Sequence, residues 1–332
     1  MKSNNPILYP PRVLSGVQPT LSVHLGNYFG ALKQHIELHH QYPGQTFFLI
    51  SDYQSLTRSH SSKGIRQETI EIATTYLALG FDPVKATLYR QSDVPECTEL
   101  AWILSCLVSA DKASLPLSKD NNGNSPLSLG EVYYPILMSS DIFCVRATII
   151  PIGEDLRPSV DYACEAGRRF NEEYDTDFFP IPEVRVNKSS IVKGIDGRKM
   201  SHSYQNTIMI FEPTFIELQR KVNNLRVDDT KGKNEPKDPD NCDVFALYSL
   251  VAPVARVELM RSQYEAGISY NDAKRELTLA IQEYFSAYQD RYVQLKRDPD
   301  FVADVLREGF KQASEEARYT LDEVRRLTGL AS

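Results

Sequence analysis

The chain has 332 residues, more than a typical single domain of about 100 to 200 residues, and this length indicates two domains. Apolar residues make up 42% of the sequence, charged residues 24% and aromatic residues 10%, a balance that excludes a disordered protein. The net charge of −7 argues against general adhesion to nucleic acid, although it is compatible with a local basic patch.

Neither membrane spans nor metal-binding cysteines are indicated. No apolar run approaches the roughly 20 residues that cross a bilayer, and the amino terminus lacks the apolar core of a secretion signal. We therefore expect a cytoplasmic protein without membrane contact.

The five cysteines are widely spaced, with no Cys-x-x-Cys pair and no histidine at a zinc-like distance. We expect buried free thiols and no metal site built by side chains.

In the first half of the chain, short β-branched or aromatic runs alternate with segments of helical spacing. The predicted strands are 12–17, 46–51, 86–91 and 147–152. The predicted helices between them cover about 25–36, 64–79 and 96–108. This alternation predicts a parallel sheet with crossover helices, and such sheets bind ligands beyond the carboxyl ends of their strands.

The second half changes character. Residues 111–129 are polar and are predicted to form a surface loop. From about Glu212 onward helical spacing dominates, above all over 271–297 and 300–330. The predicted fold class is therefore α/β: a Rossmann-like parallel-sheet domain over 1–204, followed by an all-helical domain over 205–332. The last helix is a candidate to pack back on the first domain.

The stretch SGVQPTLSVHLGNYFG, residues 15–30, runs from a strand through a loop into a helix. Its glycines allow a ligand close to the backbone, and a helix start offers N–H groups and partial positive charge to phosphate oxygens. His24 and Asn27 add side-chain donors. The alternative is a histidine that only caps the helix or packs against it.

The stretch GRKMSHSY, residues 197–204, is a cationic loop bounded by glycine. Arg198, Lys199 and His202 could meet a polyphosphate. Ser201 and Ser203 could donate hydrogen bonds to its oxygens. The alternative is an ordinary solvated basic turn.

A third stretch, YYPILMSSDIFC over 133–144, places Tyr134, Met138 and Asp141 on one face of a helix that Pro135 is expected to begin. A buried carboxylate needs a partner. Asp141 is therefore either paired with the nearby Arg146 or an acceptor for an N–H group of a ligand.

The next strand should end at GED, residues 153–155. There the backbone amides and two carboxylates would lie at the binding edge, and the alternative is a helix N-cap by Asp155. No G-x-G-x-x-G follows the first strand, which argues against a nicotinamide-dependent dehydrogenase.

Taken in order, these motifs resemble those of the class I aminoacyl-tRNA synthetases, and specifically of the bacterial tryptophanyl-tRNA synthetase family. SGVQPT followed by HLGN resembles the HIGH motif, RKMSHS the KMSKS loop, YPILMSSDI the tryptophan-pocket helix, and IPIGEDL the segment that closes the nucleotide site. The similarity covers nearly the entire chain. It implies ATP-dependent activation of L-tryptophan to the adenylate with release of pyrophosphate, then transfer to tRNA(Trp). It also implies a homodimer, with Mg²⁺ accompanying ATP and no cage of protein ligands.

The resemblance also assigns individual residues. The catalytic set is His24, Asn27, Lys199, His202 and Ser203. The ATP-binding set is Gln18, Pro19, Thr20, Gly26, Asn27, Gly153, Glu154, Asp155, Ile191, Val192, Lys199, Met200 and Ser201. The tryptophan-binding set is Asp141, Tyr134, Met138, Gln18 and Gln54. Basic residues of the helical part that could contact tRNA phosphates are Lys221, Arg226, Lys296, Arg297, Arg325 and Arg326.

Four residues depart from the family pattern. Leu21 replaces a glycine of the turn, Leu156 a glutamine, Gln54 a histidine, and His202 the second lysine of the loop. Histidine is only partly charged at neutral pH, so we expect weaker or more pH-dependent activation. Two alternatives stay open: a paralogue that adenylates a related amino acid or uses an acceptor other than tRNA, and a non-catalytic regulator that binds tryptophan or ATP.

Overall fold

The structure is a computed structural model that describes residues 9–20, 22–57, 61–109, 111, 128–186, 191–228 and 230–331. Contacts within the chain form two compact units. Unit 1 comprises residues 1–21, 35–188 and 298–332, and unit 2 comprises residues 22–34 and 189–297. These boundaries do not coincide with the predicted division after residue 204. The segments around His24 and Lys199 both fall in unit 2.

Unit 1 contains a five-stranded parallel sheet. Its strands are β1 Val13–Val17, β2 Thr46–Ile50, β3 Thr87–Arg90, β4 Ile149–Ile152 and β5 Glu183–Val186. Their order is β3-β2-β1-β4-β5, so the direction of winding reverses between β1 and β4. This arrangement confirms the predicted Rossmann-like sheet and its first four strands.

The fifth strand has no counterpart among the predicted strands. It is an edge strand of four residues, EVRV, and none of them is fully buried. Two of the four are charged, so the segment lacks the β-branched and aromatic density that marks the inner strands. By contrast, all five residues of β2 are buried, as expected for an inner strand of a parallel sheet.

Helices make up most of the remaining described chain. The first helical run is continuous: α1 Leu25–Asn27 leads through the π-helix Tyr28–Leu32 into α2 Lys33–Gln41. The helices that follow in chain order are α3 Asp52–Ser55, α4 Ser62–Ala78, α5 Glu96–Ser105, α6 Leu129–Cys144, α7 Arg157–Glu173, α8 Phe215–Asn223, α9 Asp243–Val251, α10 Val254–Ala266, α11 Tyr270–Arg297 and α12 Pro299–Thr328. The predicted helical character of the second half is confirmed.

Helix α6 begins earlier than expected, and the expectation that Pro135 begins it is wrong. Ser128 Oγ accepts a hydrogen bond from the Glu131 amide at 3.2 Å, and Glu131 Oε2 accepts one from the Ser128 amide at 2.7 Å. This reciprocal capping box sets the helix start at Leu129. Pro135 lies inside the helix, and its carbonyl accepts a hydrogen bond from Ser139 Oγ at 2.7 Å.

The last helix, α12, packs on the sheet of unit 1. A Cβ atom added at Gly309 would lie 1.9 Å from the Leu88 carbonyl oxygen of β3, so only glycine allows this approach. Glu316 of α12 accepts from Arg12 at 2.9 Å and from Arg146 at 2.7 Å. These contacts tie α12 to the segments that precede β1 and β4.

Aromatic packing holds the helices of unit 2. Tyr28 and Phe29 pack against Tyr284 and Phe285 of α11, with ring centroids 5.1 to 6.4 Å apart between the two segments. The Tyr28 and Tyr284 hydroxyls are 3.2 Å apart. This cluster fixes the helical run that begins at Leu25.

Three other expectations concern the whole chain. No helix within the described ranges is long and apolar enough to span a bilayer. All five cysteines are free thiols, and four are buried, but Cys106 is exposed, so the expectation of burial is wrong for that residue. The predicted polar loop over 111–129 lies mostly outside the described residues.

Candidate active site

Side chains that follow the strands of unit 1 collect at the carboxyl edge of the sheet. Gln91 follows β3, Gly153 follows β4, and Gln54 lies in the short helix α3 after β2. The carboxyl ends of parallel strands meet at one edge, and ligands of such sheets bind where the strand order reverses. Here the reversal falls between β1 and β4.

The segment after β1 contributes further predicted residues. Gln18 is exposed, Pro19 is buried and Thr20 is half-buried. Leu21 lies outside the described residues, so the expectation about its turn stays a prediction. Gln18 is thus the side chain of this segment that is most open to a ligand.

Asp141 is a buried carboxylate on α6, with 5% of its surface exposed. Its partner is not Arg146, as one interpretation of the sequence held, because Arg146 donates to Glu316 and Thr320. Instead, Gln91 Nε2 donates to Asp141 Oδ2 at 2.6 Å. Gln91 therefore occupies the Oδ2 oxygen of Asp141, and the Cys97 thiol is a further donor to the same carboxyl.

Burial raises the pKa of the Asp141 carboxyl well above its ordinary range. The hydrogen bond from Gln91 opposes this shift, the charge of Asp52 adds to it, and a hydrogen bond from Cys97 opposes it. A carboxyl in such surroundings favours an added N–H donor, because the donor stabilises its ionised form.

Two other predicted tryptophan-binding residues lie on the same helix. Tyr134 and Met138 are half-buried, and Met138 packs against the apolar core of unit 1. Gln54, from α3, accepts a hydrogen bond on its Oε1 from Ser51 Oγ at 3.1 Å. This bond fixes the orientation of the Gln54 amide.

The segment after β4 turns at Gly153 into the 3-10 helix Glu154–Leu156. The amide of Leu156 donates to the Gly153 carbonyl at 3.1 Å. Gly153 is the N-cap of this helix and is half-buried, whereas Glu154 is exposed. The side chain of Asp155 lies outside the described part of the chain, and Leu156 is 42% exposed.

In unit 2, His24 caps the helical run that begins at Leu25. Its Nδ1 accepts a hydrogen bond from the Asn27 amide at 3.1 Å, and Asn27 Oδ1 accepts one from the His24 amide at 3.2 Å. The Leu25 amide donates to the Ile208 carbonyl at 2.9 Å. The helix start is therefore less open than expected, because two of its first amides already have partners.

The charge state of His24 follows from its surroundings. The side chain is buried, and burial lowers its pKa to about 3, with nearby His202 and Lys199 acting in the same direction. The ring is therefore neutral at pH 7. Because Nδ1 accepts from Asn27, the single proton lies on Nε2, which can donate to an acceptor such as phosphate.

The cationic stretch forms the second arm of a hairpin whose first arm begins at Val192. The Met200 amide donates to the Val192 carbonyl at 2.9 Å, and the Gly194 amide donates to the Arg198 carbonyl at 2.8 Å. Ile191 is 68% exposed, whereas Val192 is buried. Gly197 at the turn has a φ of +82°, which favours glycine.

The two motifs lie side by side within unit 2. A Cβ atom added at Gly26 would lie 3.2 Å from Met200 Cβ. The His24 and His202 rings have centroids 5.0 Å apart, and His202 Nε2 lies 3.0 Å from the Ser22 carbonyl oxygen. The structure thus brings residues of the HLGN and KMSHS stretches together within unit 2.

Asn206 holds the loop that carries the predicted serines. Its Oδ1 accepts from the Ser201 amide at 2.8 Å, and its Nδ2 donates to the Lys199 carbonyl at 3.1 Å and to Asp196 Oδ1 at 2.7 Å. Ser201 Oγ accepts from the Ser203 amide at 3.3 Å. Lys199 and Ser203 are exposed on this framework.

Sequence reasoning missed one residue in each unit: Gln91, which binds Asp141 in unit 1, and Asn206, which holds the loop in unit 2. Gln91 is the first polar residue after a buried strand, and that position was a usable signal. Asn206 gives no such signal, because its role depends on a hairpin whose pairing the sequence does not specify.

Comparison with known proteins identifies the family. The family described as "tRNA synthetases class I (W and Y)" matches residues 8–286. The chain is 37% identical over 323 residues to the tryptophan–tRNA ligase of Fusobacterium nucleatum, covering 96% of this chain and 98% of that protein. It is 34% identical over 331 residues to the tryptophan–tRNA ligase of Neisseria meningitidis, with coverage of 96% and 98%.

Solved structures agree with this assignment. Tryptophanyl-tRNA synthetase of Campylobacter jejuni, complexed with ADP and tryptophan, matches with a TM-score of 0.87 and 32% identity, covering 96% of this chain and 99% of that one. Tyrosyl-tRNA synthetase of Archaeoglobus fulgidus matches at a TM-score of 0.68 and 17% identity over 85% of this chain and 90% of that one, and so shares the fold. The chain belongs to the class I tRNA synthetases (W and Y).

Proposed function

We propose that this chain is a tryptophan–tRNA ligase, which activates L-tryptophan with ATP and then transfers it to tRNA(Trp). The observation that carries the proposal is the buried carboxylate of Asp141 on α6, whose Oδ2 accepts a hydrogen bond from Gln91 and which faces no cation among the described groups that act on it. The relatives from Fusobacterium nucleatum and Neisseria meningitidis carry the same name.

Asp141 supplies the choice of amino acid. Its remaining oxygen accepts the indole N–H, while Met138 packs on the ring and Tyr134 and Gln18 lie near the amino-acid backbone. A ligand of the same shape without an N–H would leave a buried carboxylate short of a donor, and that loss disfavours it.

The residues around His24 bind the phosphates of ATP. A neutral His24 donates from Nε2, and Asn27 donates from its side-chain amide, since its Oδ1 is held by the His24 amide. Gly26 allows the nucleotide close to the backbone. By the family's pattern, Val192 of unit 2 and, in unit 1, Gly153 and Glu154 after β4 are also nucleotide-binding residues.

The reaction proceeds by positioning and charge stabilisation, without a covalent protein intermediate. The tryptophan carboxylate oxygen forms a bond to the α-phosphorus, and the bond from that phosphorus to its bridging oxygen breaks. Pyrophosphate leaves, and Lys199 stabilises its growing charge with help from Ser201 and Ser203. A hydroxyl of the tRNA then forms the ester, and AMP leaves.

Mg²⁺ enters this scheme with the nucleotide. Within the described ranges there is no group of three His, Cys, Asp or Glu side chains placed to hold an ion. Mg²⁺ is commonly held by substrate phosphates and few protein groups, so in this proposal it would be bound mainly by the ATP phosphates. When bound, it would neutralise phosphate charge.

The helical part of unit 2 contacts the tRNA in this proposal. Some predicted basic residues are already paired: Lys221 with Glu212 at 2.7 Å, and Arg325 with Glu99 at 2.6 Å. Arg226 and Arg297 of unit 2 are exposed, and they are better candidates for phosphate contacts.

We also propose that the ligase acts as a homodimer. Trp102 is 67% exposed, Leu129 is 87% exposed and Tyr133 is 37% exposed. They line an apolar cavity of about 540 Å³ in unit 1. An exposed apolar surface of this kind favours association, and sedimentation of the wild type beside Trp102→Glu tests it. A monomeric wild type would contradict the dimer.

Amino-acid-dependent pyrophosphate exchange tests the activation step. The purified chain, ATP, labelled pyrophosphate and each of the twenty amino acids are incubated separately. We expect exchange with tryptophan and at most weak exchange with tyrosine or phenylalanine. Exchange that prefers another amino acid would contradict the substrate assignment.

One observation favours a second candidate function. Leu156 is 42% exposed and stands where the family has a glutamine, so it offers no hydrogen bond to a ligand. A paralogue that activates a related amino acid, or passes it to another acceptor, would keep the fold and change this contact. The same exchange panel separates the two candidates, and tryptophan binding without any exchange would instead favour a regulator.

A further inference from the structure

Gln91 is almost completely buried, with 1% of its surface exposed, yet only part of its amide is satisfied. Its Nε2 donates to Asp141 Oδ2 at 2.6 Å, while its Oε1 is buried with no hydrogen-bond partner among the described residues. We propose that Gln91 is a positioning residue for indole recognition: it occupies one oxygen of Asp141, so that only the other is presented to the ring N–H of the substrate.

This inference rests on the proposed tryptophan specificity and adds a residue that sets it. A carboxylate has two oxygens, each able to accept from more than one direction, and so does not by itself select one donor geometry. With Oδ2 held by Gln91, and with the Cys97 thiol as a weak further donor to the carboxyl, the remaining acceptor capacity of Asp141 has a defined direction. A single directed acceptor discriminates between ligands by the presence and the place of one N–H.

The backbone around Gln91 is rigid enough for this task. The preceding residue, Arg90, pairs in register with Ile50 of β2. Gln91 begins a 3-10 turn in which its carbonyl accepts from the Val94 amide at 3.1 Å. Asp141 lies in the last turn of α6, which ends at Cys144. Both partners are therefore held by secondary structure and not by loops.

Stability alone does not account for Gln91. A buried amide oxygen without a partner destabilises the folded state, and an apolar side chain of similar shape would avoid that cost. Gln91, which donates to Asp141, therefore also buries an amide oxygen that has no hydrogen-bond partner among the described residues. Such a residue fits a role in ligand recognition better than a role in the core.

The bond also influences the ionisation of Asp141. Among the described residues, the charged or titratable groups facing this carboxyl are Asp52 from α3, Cys97 from α5, Tyr89 from β3 and Cys144 from α6 itself. None of them is a cation. The Gln91 amide is therefore a main source of stabilisation for the ionised form, which is the stronger acceptor for an indole N–H.

Gln91→Met tests the inference, because methionine keeps the length and removes both polar atoms. Pyrophosphate exchange is measured with tryptophan and with the analogue in which sulfur replaces the ring N–H. We expect KM for tryptophan to rise about tenfold with kcat little changed, which corresponds to about 1.4 kcal/mol. KM for the sulfur analogue should stay the same. The rise should be larger at pH 6 than at pH 8, because the carboxyl protonates more readily without its donor.

Gln45→Met is the matched control. Its Oε1 is also buried without a partner among the described residues, but it precedes β2, at the amino edge of the sheet. We expect this variant to keep the wild-type ratio of the two KM values. If the Gln91→Met enzyme also keeps the wild-type ratio of KM for tryptophan to KM for the sulfur analogue, the inference is overturned.

Gln91→Glu gives an independent readout with the opposite pH dependence. The introduced carboxyl group could donate to Asp141 when protonated, whereas its ionised form repels Asp141, so KM for tryptophan should rise with pH. A pH-independent KM would count against the inference. If both Gln91 variants fail to fold while Gln45→Met folds, Gln91 serves the core and the inference is wrong. If the wild type shows no exchange with tryptophan, the proposed function fails first.

Discussion

Replacement of Asn206 by alanine tests whether the geometry of the KMSHS loop controls the rate of amino-acid activation. The substitution removes the acceptor of the Ser201 amide and a donor to the Lys199 carbonyl, at 2.8 and 3.1 Å. It also removes the bond to Asp196, but that carboxylate is half-exposed and water can replace the lost donor. At about 1 kcal/mol for each backbone hydrogen bond, the ordered loop loses about 2 kcal/mol.

A loss of about 2 kcal/mol corresponds to a rate change of about 30-fold if the ordered loop is needed only in the transition state. We therefore expect kcat for pyrophosphate exchange to fall about 10- to 30-fold. The Kd for tryptophan, measured by calorimetry, should stay within about twofold, because Asp141 and Gln91 are unchanged. Loss at the chemical step with retained binding is the expected signature of a transition-state interaction.

Asn171→Ala is the matched control. Asn171 also bonds twice to backbone, donating to the Phe179 carbonyl at 2.8 Å and accepting from the Phe179 amide at 3.0 Å, but it belongs to α7 of unit 1. The Asn171→Ala variant should lower the urea concentration at the midpoint of unfolding and leave kcat for pyrophosphate exchange within about twofold of the wild-type value. If Asn171→Ala lowers kcat as much as Asn206→Ala does, general destabilisation explains the effect. If Asn206→Ala keeps its full kcat, Asn206 does not order the loop.

Three further predictions use other parts of the structure. His202→Lys should raise the exchange rate at neutral pH, because it puts a fully charged side chain where the family has the second lysine of the loop; an unchanged rate between pH 6 and 8 would refute this. Asp141→Leu should lower kcat/KM for tryptophan by about 10- to 100-fold, because this factor corresponds to the loss of one hydrogen bond to a charged group. It should leave kcat/KM for the sulfur analogue nearly unchanged. Gly309→Ala should lower the urea midpoint strongly, since its Cβ would meet the Leu88 carbonyl at 1.9 Å, whereas Gly30→Ala, which meets nothing within 4 Å, should not.

Strand pattern and chain order predicted much of the fold. The inner strands are short, apolar and separated by helical segments, and β1 to β4 appear where this pattern places them. The edge strand β5 could not be identified in the same way, because a half-exposed strand with charged residues resembles a loop. Nor does the pattern alone give the strand order, which depends on how the crossovers wind.

The start of α6 shows a different limit. Pro135 is a good first residue for a helix, but the Ser128–Glu131 capping box places the start at Leu129. The capping residues were visible in the sequence, and they outweigh the proline because they satisfy two backbone amides. The shared face of Tyr134, Met138 and Asp141 does not depend on where the helix begins.

For the site, motif order was more informative than any single motif. HLGN and KMSHS are far apart in the chain, and only the structure places Gly26 against Met200 within unit 2. Asp141 is recognisable as a carboxylate in an apolar helix, but its protein partner is not, because the sequence suggests the nearby Arg146 and gives no reason to pair it with the distant Gln91. The fold decides between them by bringing the end of β3 to α6 and by directing Arg146 to Glu316.

The central claim is that this chain attaches tryptophan to tRNA, and one aminoacylation assay tests it most directly. Labelled tryptophan, ATP, Mg²⁺ and tRNA are incubated with the wild type, and acid-precipitable label is followed over time. We predict charging of tRNA(Trp) that requires ATP and that Lys199→Ala abolishes. Robust pyrophosphate exchange with tryptophan but no charged tRNA(Trp) would contradict the claim.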